Sequence, residues 1–222
     1  MARCHGLVGG LVILAWAAGA SAAETEVRQF KIFVDGKRAG QYTMTVEKRD
    51  DGTVNMTGKA SVALKVFLRQ YAYNYQGREV WSKDGRLIEL RSTSNDDGKS
   101  YEVKARADEK GLNVTVNGDT RRVRWDVWTT SYWQAPDKRF VNKSVPLLDS
   151  DSGKSYTGSV RRVGSARVEV GGKLTDCDHY RVEGGPYPID LWFDRTNRLV
   201  RQDFVEQGHR TVVELDRVQR TP

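Results

Sequence analysis

Trp125-Asp126-Val127-Trp128-Thr129-Thr130-Ser131-Tyr132-Trp133 sets three tryptophans and a tyrosine inside nine positions near the middle of a 222-residue chain. The segment lacks the two-residue alternation of its surroundings. Its spacing predicts a short helical turn with Trp125, Trp128 and Tyr132 on one side, capped by Thr130 or Ser131. Everything flanking it reads as strand and hairpin. So much aromatic surface between two β-rich halves has to be covered by them, and that requirement sets the architecture.

Upstream, Phe30, Ile32 and Val34 alternate before Asp35-Gly36, and Tyr42, Met44 and Val46 answer before Asp51-Gly52. Such pairs supply the left-handed positions of tight hairpin turns. Val54, Met56, Val62 and Leu64 continue the pattern, giving a three-stranded meander. Val66 to Leu68 is a short apolar run that fits either a buried strand or a helical turn. Tyr71, Tyr73 and Tyr75 occupy every second position, so a strand puts them on one face. Further hairpins are marked by Lys83-Asp84-Gly85, Asn95-Asp96-Asp97-Gly98 and Asn117-Gly118.

Downstream, periodicity is weak through Pro136 and Pro146. Strands return at Tyr156 to Val163, Ala166 to Val170, Leu174 to Val182, Ile189 to Phe193, Arg198 to Val205 and Arg210 to Val218. The halves echo one another: V-W-S-K-D-G-R-L-I from Val80 matches L-W-F-D-R-T-N-R-L-V from Leu191, with a tryptophan closing a strand and Arg-Leu opening the next. A dozen amphipathic strands must bury one face and manage their edges. The expected fold is therefore all-β, a strongly curved antiparallel sheet or half-open barrel built from two meanders, about 26–120 and 154–218, with the tryptophan-rich segment as connector.

Arg3, the apolar run Leu7 to Ala18 and Ala20-Ser21-Ala22 read as a secretory signal peptide over 1–22. Residues 23–222 then form a single domain with no membrane-spanning segment, periplasmic or secreted. Loss of Cys4 with the leader makes Cys177 the sole cysteine, so stability rests on burial and strand pairing. The formal charge of +7 is spread over interspersed residues of both signs, as on a solvated surface. A sharper reading is affinity for anionic surfaces at Arg121, Arg122 and Arg124. Nucleic acid is not expected as a partner, because no binding module is recognisable.

Two chemistries compete for the aromatic segment. It either plugs the curved sheet with its own side chains or walls a pocket for an apolar ligand or sugar ring, with Trp125, Trp128, Tyr132 and Trp133 as the wall and Tyr71 and Tyr73 beside it. Cys177 and His179 share a face of a predicted strand, the first requirement of a thiolate–imidazole pair or a two-ligand metal site. Further ligands are scarce. Carboxylate pairs such as Asp96-Asp97, and Asp149 with Asp151, lie in turns whose chemistry accounts for them. Nucleophile elbows and phosphate or dinucleotide loops are absent. No catalytic residue, metal or cofactor is therefore assigned.

W-T-T-S-Y-W from Trp128, L-L-D-S-D-S-G from Leu147, D-H-Y-R-V from Asp178 and D-L-W-F-D from Asp190 together resemble a family of exported bacterial proteins known only as domain of unknown function 6134. F-V-D-G-K-R-A-G, V-W-S-K-D-G-R-L and S-N-D-D-G-K extend the resemblance over nearly the whole mature chain. It implies an exported β-rich domain and supplies no catalytic residue. By analogy of fold alone, the comparison is with the curved half-barrels of periplasmic lipid carriers. The expected function is non-enzymatic binding of an apolar or amphipathic envelope ligand, with lipid, amphipathic small molecule or glycan as candidate partners. The alternatives are chemistry at Cys177 and His179, or a scaffold that pairs with an envelope protein through a sheet edge.

Overall fold

The computed structural model describes residues 24–66 and 69–221, so the predicted signal peptide, Phe67 and Leu68 lie outside the described residues. Among the described residues every element is a strand. The first half runs β1 (Glu24–Val34), β2 (Lys37–Lys48), β3 (Val54–Val66), β4 (Arg69–Trp81), β5 (Leu87–Asp96), β6 (Lys99–Asp108), β7 (Gly111–Val116) and β8 (Asp119–Val123). Next come the short β9 (Trp128–Thr129) and β10 (Lys143–Leu148). The second half runs β11 (Ser155–Val170), β12 (Lys173–Glu183), β13 (Ile189–Asp194), β14 (Leu199–Glu206) and β15 (His209–Thr221).

All fifteen strands form one sheet in the order β8-β7-β6-β5-β4-β3-β2-β1-β15-β14-β13-β12-β11-β10-β9. Neighbours run antiparallel except β9 and β10, which are parallel. The first and last strands pair at the centre, and the two outer edges are consecutive in the chain. A flat sheet of this size would be roughly 65 Å wide at about 4.8 Å per strand. Yet only Arg124 to Val127 separate β8 from β9, a reach of about 18 Å at full extension. The sheet therefore has to roll until its edges approach. Arg121 of β8 spans the seam, donating to the Gly153 carbonyl and to Ser155 Oγ.

Inside the roll, strand alternation lines up rows of inward residues across neighbouring strands. One row runs Arg28, Met44, Gly58, Gly77, Ser92, Val103 and Val116. Its middle is small because Tyr42 and Tyr75 lie over the directly paired glycines. A Cβ at Gly77 would come 2.1 Å from Tyr75 Oη, and one at Gly58 would come 2.8 Å from Tyr42 Oη. The chain from β9 to the turn after β10 then lies across this row. Arg28 donates to the Trp133 carbonyl, Ser92 to the Ser150 carbonyl and Ser94 to the Asp151 carbonyl at 2.9 Å. The sheet thus wraps its own connector, and Met44, Met56, Leu90, Leu147 and Leu148 are fully buried between them.

The predicted all-β curved sheet is what the structure contains, with four differences in detail. Trp125 to Trp133 form no helical turn, because Trp128 and Thr129 pair in parallel with Leu147 and Leu148 and Tyr132 turns the chain at φ +46°. Strands β8 and β10 arise where sequence periodicity is weak, each anchored by a longer neighbour. Tyr156–Val163 and Ala166–Val170 are one strand, β11, which absorbs the irregularity as a register shift between Arg162 and Gly164. The internal repeat is real in topology but aligns one residue away from its tryptophans: Trp81 opposes Leu87, and it is Phe193, not Trp192, that opposes Leu199. Both hairpins close with the same pair of backbone bonds, Ser82–Arg86 and Gly85–Ser82 matching Asp194–Arg198 and Asn197–Asp194.

Candidate functional site

The tryptophan end of the roll is sealed. Trp128, Tyr132 and Trp133 are 3%, 3% and 5% exposed. Trp128 meets the Tyr132 ring edge-on at 4.8 Å, and Trp133 lies 6.0 Å from Trp81. Beneath them sits Glu79, wholly buried, accepting at Oε2 from Trp81 Nε1 (2.8 Å) and Thr129 Oγ1 (3.0 Å). Burial outweighs these donors and pushes its carboxyl up to about 7. Among the described residues Glu79 Oε1, Tyr75 Oη, Trp128 Nε1 and Trp133 Nε1 are buried without a partner. Trp125 is separate from this group, 43% exposed with the Arg86 guanidinium 4.2 Å above its ring. Of the four connector aromatics expected to wall a pocket, three are plug and one lies outside.

A buried ion cluster fastens the plug from below. Glu26 takes Arg28 at 2.7 Å, Arg198 at 2.8 Å and Arg220 at 2.9 Å. Arg28 and Arg198 overcome its burial and pull its carboxyl down to about 2, with the more exposed Arg220 at the edge of the cluster. Arg28 then reaches the Trp133 carbonyl, and the Ala135 N–H donates to the Asn197 carbonyl, so the cluster ties β1, β15 and the β13–β14 turn to the connector.

At the opposite end the inner face is half open. Tyr71 and Tyr73 of β4 do share a face with Tyr75, but only Tyr75 is buried. Tyr71 donates to Asp96 Oδ1 at 2.7 Å and Tyr73 to Asp151 Oδ2. From the second half Tyr187 stacks on Phe204 at 4.3 Å, and its phenol lies within the field of Glu206 and Asp151. Asp151 lies deep yet keeps contact with solvent. Burial and the charges of Asp149, Glu206 and Asp96 push it up to about 7, against the Tyr73 hydrogen bond. Glu206 is raised by burial and by Asp96 and Asp149. First half, connector and second half thus converge on a mouth of half-buried phenols with Asp96 and Asp151 among them and the exposed Glu206 at the rim. Sequence pattern pointed to Tyr71 and Tyr73 but not to Asp151, Tyr187, Phe204 or Glu206, because their proximity depends on how the sheet rolls.

Cys177 and His179 do not act on one another. The Cys177 Sγ faces the Thr175 carbonyl at 3.5 Å, and burial with Asp194, Asp176 and Asp178 pushes its thiol up to about 11, away from thiolate character. His179 bonds Asp190 at 2.8 Å and stacks on Trp192 at 4.4 Å. Among the described residues no three His, Cys, Asp or Glu side chains gather as a metal site.

A single rolled antiparallel sheet closed around its own connector defines the class. A solved structure of the same kind, a β-barrel-like protein of domain of unknown function DUF1849 from Brucella abortus, superimposes with a TM-score of 0.64 at 8% identity, covering 90% of this chain and 98% of that one. At that identity the likeness speaks of fold alone. The chain itself belongs to the family described as Domain of unknown function (DUF6134), whose model matches residues 30–216. A lectin from Solieria filiformis, SfL-2, is 26% identical over 217 residues, spanning 76% of this chain and 80% of the relative.

Proposed function

We propose that this is an exported, non-enzymatic binding protein whose ligand is an amphipathic molecule of the cell envelope, received at the tyrosine mouth. The observation that carries the reading is the gradient along the inner face. It is sealed by Trp128, Tyr132 and Trp133 at one end, while Tyr71, Tyr73, Tyr187 and Phe204 stay half-buried at the other. Phenol rings give apolar contact with a polar tip, which suits a molecule with both characters. The neighbouring carboxylates disfavour an anionic head. Export rests on the leader-like segment before Glu24.

The test is titration of the mature chain with a neutral, a cationic and an anionic dodecyl amphiphile, followed by intrinsic fluorescence. Neutral or cationic compounds bind below their micelle threshold, and a Tyr71→Ala/Tyr73→Ala variant loses at least tenfold in affinity. Equal affinity of variant and parent removes the mouth as the site. The lectin relative favours a second reading, glycan binding, in which the polar outer surface would do the work.

A further inference from the structure

The convex face of the first half carries a trough that the amphiphile site does not use. It consists of two adjoining depressions of about 600 and 420 Å³ that share Asn74. Its floor is low because outward positions there are small: Ala63 pairs directly with Ala72, and Ser61 lies opposite Asn74. Around that floor the ladder register sets polar side chains in cross-strand rows. One row runs Gln41, Ser61, Asn74 and Asn95; the next runs Thr43, Lys59, Gln76, Thr93 and Glu102. Arg38 closes the end nearest β1 and Asn117 the end nearest β7.

Amides and hydroxyls, Gln41, Ser61, Asn74, Gln76, Thr93 and Asn95 among them, line this trough together with alanines and the Tyr101 ring, so polar groups are set beside apolar ones. Elsewhere on its outer face charged residues pair two apart along a strand, as Arg91 does with Glu89 and Arg181 with Glu183. Asn74 and Gln76 are exposed side chains, each able to donate and accept at once, which matches the paired hydroxyls of a sugar ring. Neighbouring strands repeat the row at about 4.8 Å, close to the length of one sugar residue. The ladder fixes the backbone spacing of the amides, and the cost of ordering their side chains is borne on binding. Lys59 and Arg38 against Glu102 leave the trough mildly basic.

We propose that this trough is a binding site for an extended polyhydroxyl chain, a glycan lying across β2 to β6. The inference gives the glycan reading above a location and is independent of the tyrosine mouth, which lies on the opposite face of the sheet.

The experiment is isothermal titration of the mature chain with cellohexaose, chitohexaose and maltohexaose. At least one of them binds. Asn74→Ala/Gln76→Ala weakens it at least tenfold, and Ala72→Trp, which fills an exposed part of the floor, does the same. Both variants keep the parental melting temperature, and Tyr73→Phe binds as the parent does. Absence of binding by the parent to all three overturns the site and the glycan reading together. Binding that survives both trough variants overturns the site and leaves glycan recognition to another surface.

Discussion

Replacing Glu79 with glutamine should make the protein more stable at neutral and basic pH and flatten its pH dependence. Glu79 is fully buried, with its carboxyl raised from 4.5 to about 7. Because the folded form holds the proton more tightly than the unfolded chain, the residue's contribution to stability is complete below pH 4.5. It falls as pH rises, and the loss levels off above about pH 7. At roughly 1.4 kcal/mol per pH unit, the loss amounts to about 3 kcal/mol. Glutamine keeps the oxygen that accepts from Trp81 and Thr129 and cannot ionise, so it avoids that cost. Asp151, also raised to about 7, adds a loss of the same sign in both proteins. Urea unfolding followed by tryptophan fluorescence at pH 5 and pH 8.5 reads the difference. The variant should gain about 2–3 kcal/mol over the parent at pH 8.5 and differ little at pH 5. A variant that shows the parent's pH slope, or is equally destabilised at both values, refutes the reasoning.

Three further outcomes follow from named contacts. Gly77→Ala drives a Cβ into the Tyr75 hydroxyl, where 2.1 Å is available, and should cost about 1–3 kcal/mol in thermal unfolding. Arg28→Met leaves the Trp133 carbonyl without its buried donor and takes one of three guanidiniums from Glu26, which keeps Arg198 and Arg220; a loss of about 1–3 kcal/mol in urea titration is expected. Cys177 should react with a disulfide reagent at pH 8 at least about tenfold more slowly in the native protein than in urea, since its thiol is raised to about 11. A native rate equal to the unfolded one would contradict the placement of Cys177.

The parts of this fold that could be read in advance are those governed by local rules. Asp35-Gly36 and Asn117-Gly118 do turn the chain in the left-handed region, with φ of 49° and 77° in the first pair and 49° and 99° in the second. The alternation of Phe30, Ile32, Tyr42, Met44 and Val46 did mark the inner face. Strand β10 was hidden because Lys143 to Leu148 has no alternation of its own and exists by pairing with β11. The repeat was misaligned by one residue for a related reason. Trp81 and Trp192 look equivalent in sequence, but Trp81 points inward and Trp192 lies outward against His179, so burial at the hairpin passes to Phe193. The site divides in the same way. Tyr71 and Tyr73 announce themselves by spacing, while Asp151 and Tyr187 reach them only because two loops distant in sequence fold back over the roll.

Everything proposed for the inner face depends on the connector being a plug at one end and the tyrosines being open at the other. The most direct measurement is a crystal structure of residues 23–222 grown with a neutral dodecyl amphiphile. Density for the alkyl chain over Tyr71, Tyr73, Tyr187 and Phe204, with Trp128, Tyr132 and Trp133 still packed beneath, is the predicted result. An alkyl chain inserted among those three connector aromatics in place of their mutual contacts would contradict the account.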